Sequence, residues 1–373
     1  MSLTLLLPLV IPLVTAVLCL VAWKSVRAQR VVSVAGGLAH TEAAVGLVGA
    51  AWRHGILVGQ AGGWEAPYGI TIVADLFGAA MVLLGAVTGL ACVVYSLGSV
   101  DERRERHGYY ALVQVLLFGV TGSFMTGDLF NLYVWFEVML MASFVLLALG
   151  GERPQLEGAV KYVTLNLVAS GLFLASVGIL YGMLVTLNFA HMAVRVETVE
   201  RPLLLAITST LLLAAFLVKA GAFPFFFWLP ASYHTPPVAV AALFAGLLTK
   251  VGVYAVARVY TLVFTQDMAL THLLILGIAG LTMVTGVLGA ATHMDIRRIL
   301  SFHIISQIGY MLMGIGLAGV ALARAEQAGG AEGAALRAAA ALGLAGTVFY
   351  IIHHIIVKAN LFLVGGVIAR YTG

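Results

Sequence analysis

Three apolar stretches of this chain each carry one ionisable side chain near the middle. Glu137 lies in LYVWFEVMLMASFVLLA, Lys219 in LLLAAFLVKAGAFPFFFWLP and Lys250 in VAVAALFAGLLTKVGVYAVA. A fourth stretch carries His353, His354 and Lys358. An unpaired charge at bilayer depth costs roughly 2.5–3.5 kcal/mol on insertion scales, so such residues persist where they move ions, pair with one another, or both. The chemistry this implies is proton or ion transfer. A desolvated lysine has its pKa lowered and can release a proton; two nearby lysines repel and resist being charged together; histidine titrates near neutral pH.

Spacing refines this reading. Glu137 has Tyr133, Val134, Leu140 and Met141 as helical neighbours, so any partner must come from another helix. Lys219 is followed by Gly221, Pro224, Pro230 and the His234-Thr235-Pro236-Pro237 turn, which predicts a broken helix there. Broken helices at membrane depth are tolerated only against protein or water. Lys250 comes thirty-one residues later, within reach of a side-chain or water-bridged transfer if the two helices are neighbours. His354 and Lys358 stand at i, i+4 and share one face. Other polar candidates are His303, Ser306, Gln307, Tyr310, His40 and Glu42. Asp75 reads as a helix cap or an interfacial group, and Asp295-Ile-Arg297-Arg298 as a turn with a local ion pair. Structural hydrogen bonding is the competing reading for each of these groups.

The elements that must hold them are membrane helices. The chain has 373 residues, of which 62% are hydrophobic and 10% charged, with a mean hydropathy of +1.05. That composition is outside the soluble range. Eleven spans are expected: 3–23, 31–52, 70–98, 109–126, 129–149, 158–187, 202–229, 236–263, 270–292, 299–322 and 337–369. The runs are continuous and do not alternate, which excludes a membrane β-barrel. The polar stretches 53–69, 188–201 and 323–336 are too short for a catalytic domain, and 323–336 reads as a flexible Ala/Gly loop. With the N-terminus outside, the inner loops would hold eleven basic residues and the outer loops five, so the expected orientation is N-out. The first span lacks a basic leader and a cleavage site. Cys19 and Cys92 read as core hydrophobes. The net charge of +4 follows from the loop bias and does not indicate a nucleic-acid partner. Nucleotide fingerprints, cysteine clusters and catalytic triads are not found, so no cofactor, no metal and no autonomous enzyme activity are expected.

At these residues the chain resembles a known family. TGDLFNLYVWFEVMLMASF, KAGAFPFFFWLPASYHTPPVAVAALFAGLLTKVGVYA, DIRRILSFHIISQIGYM and HHIIVKANLFLVGG are similar to the proton-translocating antiporter-like family. That family comprises the large membrane subunits of respiratory complex I and of Mrp-type sodium/proton antiporters. The GDLFNLYVWFE form, with GGWEAPYGITIVAD upstream, most resembles Mrp D subunits. The resemblance implies an all-α bundle with inverted five-helix repeats. It divides into N-terminal helices over 1–108, a first repeat over 109–263 and a partial second over 270–373. It implies a proton relay of Glu137, Lys219 and Lys250, continued by His353, His354 and Lys358. It further implies partners in the form of other membrane subunits, protons and a monovalent cation, and residence in a prokaryotic cell membrane among its lipids. The family's second broken helix is not within these 373 residues, so the sequence is expected to be either a fragment, continued by roughly three helices, or a shortened protein. The alternatives are a proton-pumping subunit of complex I or a membrane-bound hydrogenase, and a scaffold whose charges only lock helices together.

Overall fold

The computed structural model describes residues 2–266 and 268–372. The first helices are α1 (Leu3–Val21) and α2 (Val26–His54), the latter capped by Ser25, whose hydroxyl accepts from the Ala28 N–H at 3.3 Å. A short antiparallel hairpin comes next, β1 (Leu57–Gln60) with β2 (Thr71–Ala74). Then come α3 (Leu76–Ser99), the surface turn α4 (Glu102–Arg106), α5 (Tyr109–Met125), α6 (Leu129–Ala148) and the long α7 (Arg153–Leu184). After α8 (Phe189–Val196) and α9 (Pro202–Ala220) the chain breaks, then forms the single turn α10 (Trp228–Ser232). The next span runs α11 (Val238–Leu243), a π-helical turn over Phe244–Leu248, and α12 (Thr249–Leu262). The chain ends in α13 (Met268–Ala291), α14 (Ile296–Ala328) and α15 (Gly330–Thr372).

Among the described residues ten helices are long and apolar enough to cross a membrane, with the π turn counted inside Val238–Leu262. The shorter α5, apolar and 17 residues long, falls at the expected span 109–126 but is below that length. The fold is therefore the expected all-α membrane bundle. Three details differ from the sequence reading. Span three starts at Leu76 and not 70, because Thr71–Ala74 is committed to the hairpin and Asp75 caps the helix through the Gly78 N–H at 2.8 Å. Span seven stops at Ala220 and not 229. The 323–336 stretch is almost wholly helical; only Gly329, at φ +63°, lies outside α14 and α15. Its alanines carry the highest helix propensity, and two successive positive-φ glycines, Gly329 and Gly330 (φ +49°), make the turn. Asp128 and Asp295 are also caps, to the N–H groups of Asn131 (2.7 Å) and Arg298 (2.8 Å).

The chain forms two compact units. The first contains the residues up to Asn166, Ala231–Leu248, and those from Ile355. In it α5 packs on α1, α3 and α6. The α5–α6 contact depends on Gly119, where an added Cβ would fall 2.6 Å from the Met139 backbone nitrogen. The second unit contains Leu167–Pro230 and Thr249–His354. In it α13 lies along α14 through Gly286, Gly309 and Gly316, the close small-residue packing typical of membrane helices.

Arg104 organises the loop surface of the first unit. It meets the carboxylates of Asp101 and, at 2.6 Å, Glu152, and donates to the Leu149 carbonyl at 2.9 Å. Partial burial of Asp101 opposes its ionisation, but hydrogen bonds from the Arg104 N–H and guanidinium outweigh this and hold it below its ordinary value. A carboxyl with a depressed folded pKa stabilises fully above its unfolded pKa, and the contribution is lost as pH falls through the folded one. Arg104→Gln should therefore lower thermal stability in detergent at pH 7, and the difference from the parent should shrink on acidification. A constant difference down to about pH 3, below the ordinary carboxylate range, would show that the ion pairs do not carry it.

Candidate functional site

The break after α9 has a local cause. Gly221 takes φ +75° and ψ +37°, and the Gly221 and Ala222 N–H groups turn back to the Val218 and Leu217 carbonyls at 3.1 and 3.0 Å. This left-handed stop is open to glycine at little cost. The non-helical stretch is then fixed from both sides. The Phe223 N–H donates to Thr282 Oγ1 at 3.0 Å, and Trp228 Nε1 donates to the Val218 carbonyl at 3.0 Å. Lys219 sits in the last turn of α9, where the carbonyl ends favour a cation. It is only 5% exposed, and its ammonium donates to Ser170 Oγ on α7 at 2.8 Å.

Lys250 is fully buried near the start of α12. The preceding π turn is buried at every residue. Such turns recur at functional sites because the extra residue rotates the face that the next helical turns present. α12 packs on α9, and the approach is closest at Gly252, where a Cβ would lie 2.6 Å from the Ala220 nitrogen and 3.0 Å from the Lys219 carbonyl carbon. Within two residues of each lysine, the helices touch backbone to backbone. Among the described residues the Thr249 hydroxyl, beside Lys250, has no hydrogen-bond partner, so a polar group is available there for a bound water.

The last helix divides its polar residues between two faces. His354 (2% exposed) and Lys358 (0%) are buried, whereas His353 is exposed. Around Lys358, Ile355 and Ala359 press on the π turn at Gly246, where a Cβ would meet Ala359 Cβ at 3.5 Å and the Ile355 carbonyl at 3.7 Å. His354 stacks on the Tyr350 ring at 6.4 Å, and the Tyr350 hydroxyl donates to Gln307 Oε1. His353 packs outward against Phe349.

Glu137 differs from the sequence reading in burial. It is half-buried in α6, one helical turn from the buried Leu140, so this chain alone does not enclose it. His40 is buried on α2, while Glu42 and His303 are exposed. Ser306 is buried where α13 meets the α14 backbone at Gly286. The sequence reading missed Ser170 and Thr282. Both are single hydroxyl residues in apolar helices and carry no local signal. They become visible only when the chain brings Lys219 and the Phe223 backbone to them.

Comparison with known proteins matches this architecture. Residues 126–326 match the family described as NADH:quinone oxidoreductase/Mrp antiporter, TM. The D subunit of the Na(+)/H(+) antiporter of Alkalihalophilus pseudofirmus is 44% identical over 98% of this chain and 70% of its own length. The D subunit of the Na(+)/H(+) antiporter of Bacillus subtilis is 40% identical over the same shares. Among solved structures, a chain of the Mrp complex from a Dietzia species superposes with TM-score 0.82 at 31% identity, over 98% of this chain and 65% of that one. A chain of an archaeal membrane-bound sulfane sulfur reductase superposes with TM-score 0.85 at 26% identity, over 97% and 70%. A helix bundle with buried lysines beside a glycine-stopped helix and a π turn thus has its relatives among antiporter and respiratory membrane complexes, and the chain belongs to the NADH:quinone oxidoreductase/Mrp antiporter family of integral membrane transport subunits, on the side of the antiporter D subunits.

Proposed function

We propose that this chain conducts protons as the D-type subunit of a multisubunit cation/proton antiporter in a prokaryotic cell membrane, with its N-terminus on the outer side. The observation that carries the reading is the burial of three lysines, Lys219, Lys250 and Lys358, in helices otherwise built of apolar residues. Burial at membrane depth is expensive, and it favours lysines that alternate between charged and neutral forms. Glu137 sets the charge state of Lys219, Lys250 hands the proton on, and His354 and Lys358 continue the path. His353, on the exposed face, would act at a boundary with another subunit. The inverted repeats over 109–263 and 270–373 belong to the same proposal, as do small membrane subunits as partners and a monovalent cation as the exchanged ion.

The carboxylate–lysine coupling is the most direct test. Glu137→Gln should slow antiport or move its pH optimum in vesicle ΔpH assays, and Glu137→Asp should do less harm. In a cycle with Lys219→Ala the two effects should be strongly non-additive. Additive effects would show two independent residues and remove the relay. A second reading, a proton-pumping subunit of a redox-driven complex, is supported by the superposition on the sulfane sulfur reductase chain. Co-purification with iron–sulfur subunits would favour it over the antiporter.

A further inference from the structure

A second set of buried polar groups runs along the contact of α2 with α5 and shares no residue with the lysine path. On α2, Gln29, Ser33, Gly37 and His40 lie on one face, all buried, with His40 near the middle of the 29-residue helix. On α5, Gln114 and Thr121 are two turns apart and buried. The two faces meet in register. Gln114 Nε2 donates to Ser33 Oγ at 3.0 Å, and seven residues further along both helices His40 Nε2 lies 3.3 Å from Thr121 Oγ1. At the near end of this seam Glu105 is fully buried. It accepts from Arg30 at 2.8 and 2.7 Å and from the Tyr110 hydroxyl at 2.7 Å. Beyond His40 the same face of α2 continues as Ala44, Leu47 and Ala51 and is apolar.

Two atoms in this seam, Gln114 Oε1 and His40 Nδ1, have no hydrogen-bond partner among the described residues, and neither has Gln29 Oε1 at its end, where the Gln29 amide nitrogen donates to the Ala22 and Trp23 carbonyls that close α1. An unmet group is costly when dry, and inside a bilayer no bulk water relieves it. Ordered water bound to several such groups removes the cost. Spaced along one face, they trace a line from the Glu105 end to His40.

We propose that the α2–α5 seam is a hydrated half-path through which protons reach His40, a second protonation site at mid-helix depth. Gln29, Ser33 and Gln114 hold the waters, and Arg30–Glu105–Tyr110 forms the mouth. The imidazole accepts a proton from the last water and returns it the same way, because the face beyond it is closed. Other groups facing the seam are Thr15 of α1, which meets Gly36, and Leu90 of α3, which meets Gly37. The charged side chains at its mouth are Arg30 and Glu105.

The test uses the assembled complex in membrane vesicles, with Cys19 and Cys92 replaced by serine. Ser33→Cys should react with a small, charged methanethiosulfonate at least about tenfold faster than Ala44→Cys, which sits one turn beyond His40 on the same face, because only a hydrated thiol ionises readily. Equal rates would overturn the hydrated path. His40→Gln keeps a polar side chain but cannot carry the proton. It should displace the pH profile of antiport, with assembly unchanged. An unchanged profile would overturn the protonation site even if the seam is wet. The labelling arm leaves His40 intact, so it remains decisive if His40→Gln fails to assemble. Neither arm depends on the Lys219 result.

Discussion

Lys219→Ala should abolish antiport while the subunit still inserts and assembles. In the structure the side chain donates a hydrogen bond to Ser170 Oγ at 2.8 Å; in the proposed relay it also supplies an exchangeable proton at the end of a broken helix. Losing the hydrogen bond costs about 1 kcal/mol, and the Ser170 hydroxyl can turn back to an α7 carbonyl. Removing a buried charge also relieves its desolvation, so the net change in stability is small. Loss of a proton-transfer group typically lowers rate by about 10²–10⁴. Native gels should therefore show an intact complex, and vesicle ΔpH assays should show no exchange above background. Lys219→Arg sharpens the test, because arginine keeps the charge and does not release its proton near neutral pH. It should assemble and be equally inactive. Normal antiport by either assembled variant would remove Lys219 from the path.

Gly252→Val should disable the protein by a different route. The added Cβ would sit 2.6 Å from the Ala220 nitrogen and 2.9 Å from its Cα, both backbone atoms that cannot rotate away. α12 must then move off α9. Overpacking of this kind costs about 1–3 kcal/mol where side chains can yield, and more against backbone. The displaced segment carries Lys250, and the surface it leaves carries Lys219. Thermal stability in detergent and antiport should fall together, with less assembled complex recovered. Gly280→Ala is the control: it lies in α13 of the same unit and a Cβ there meets nothing within 4 Å. A Gly252→Val variant as stable and active as Gly280→Ala would show that the close α9–α12 contact is not required.

The sequence alone determined the membrane class and which apolar stretches bear charge, because hydropathy and ionisation are properties of local composition. It also located the break after Lys219, since Gly221 and Pro224 act through backbone geometry within a few residues. The caps at Asp75 and Asp128 follow from equally local chemistry. Which side of a helix turns inward is another matter. His353 and His354 are adjacent and chemically identical, yet one is exposed and the other 2% exposed, because the rotation of α15 is fixed by the groups it packs against. Glu137 looked enclosed by the apolar residues around it in the chain, but burial depends on neighbouring helices, and here it is only half-covered. The partner of Lys219 lies 49 residues away on α7, and the α2–α5 seam joins groups 81 residues apart. The 323–336 stretch, read as a flexible Ala/Gly loop, is mostly helical, whereas Gly252 and Gly286, unremarkable in sequence, sit where helices meet backbone to backbone. Local spacing states which residues share a face. Only the packed structure decides which face is buried, against which helix, and how near the charges of different helices come.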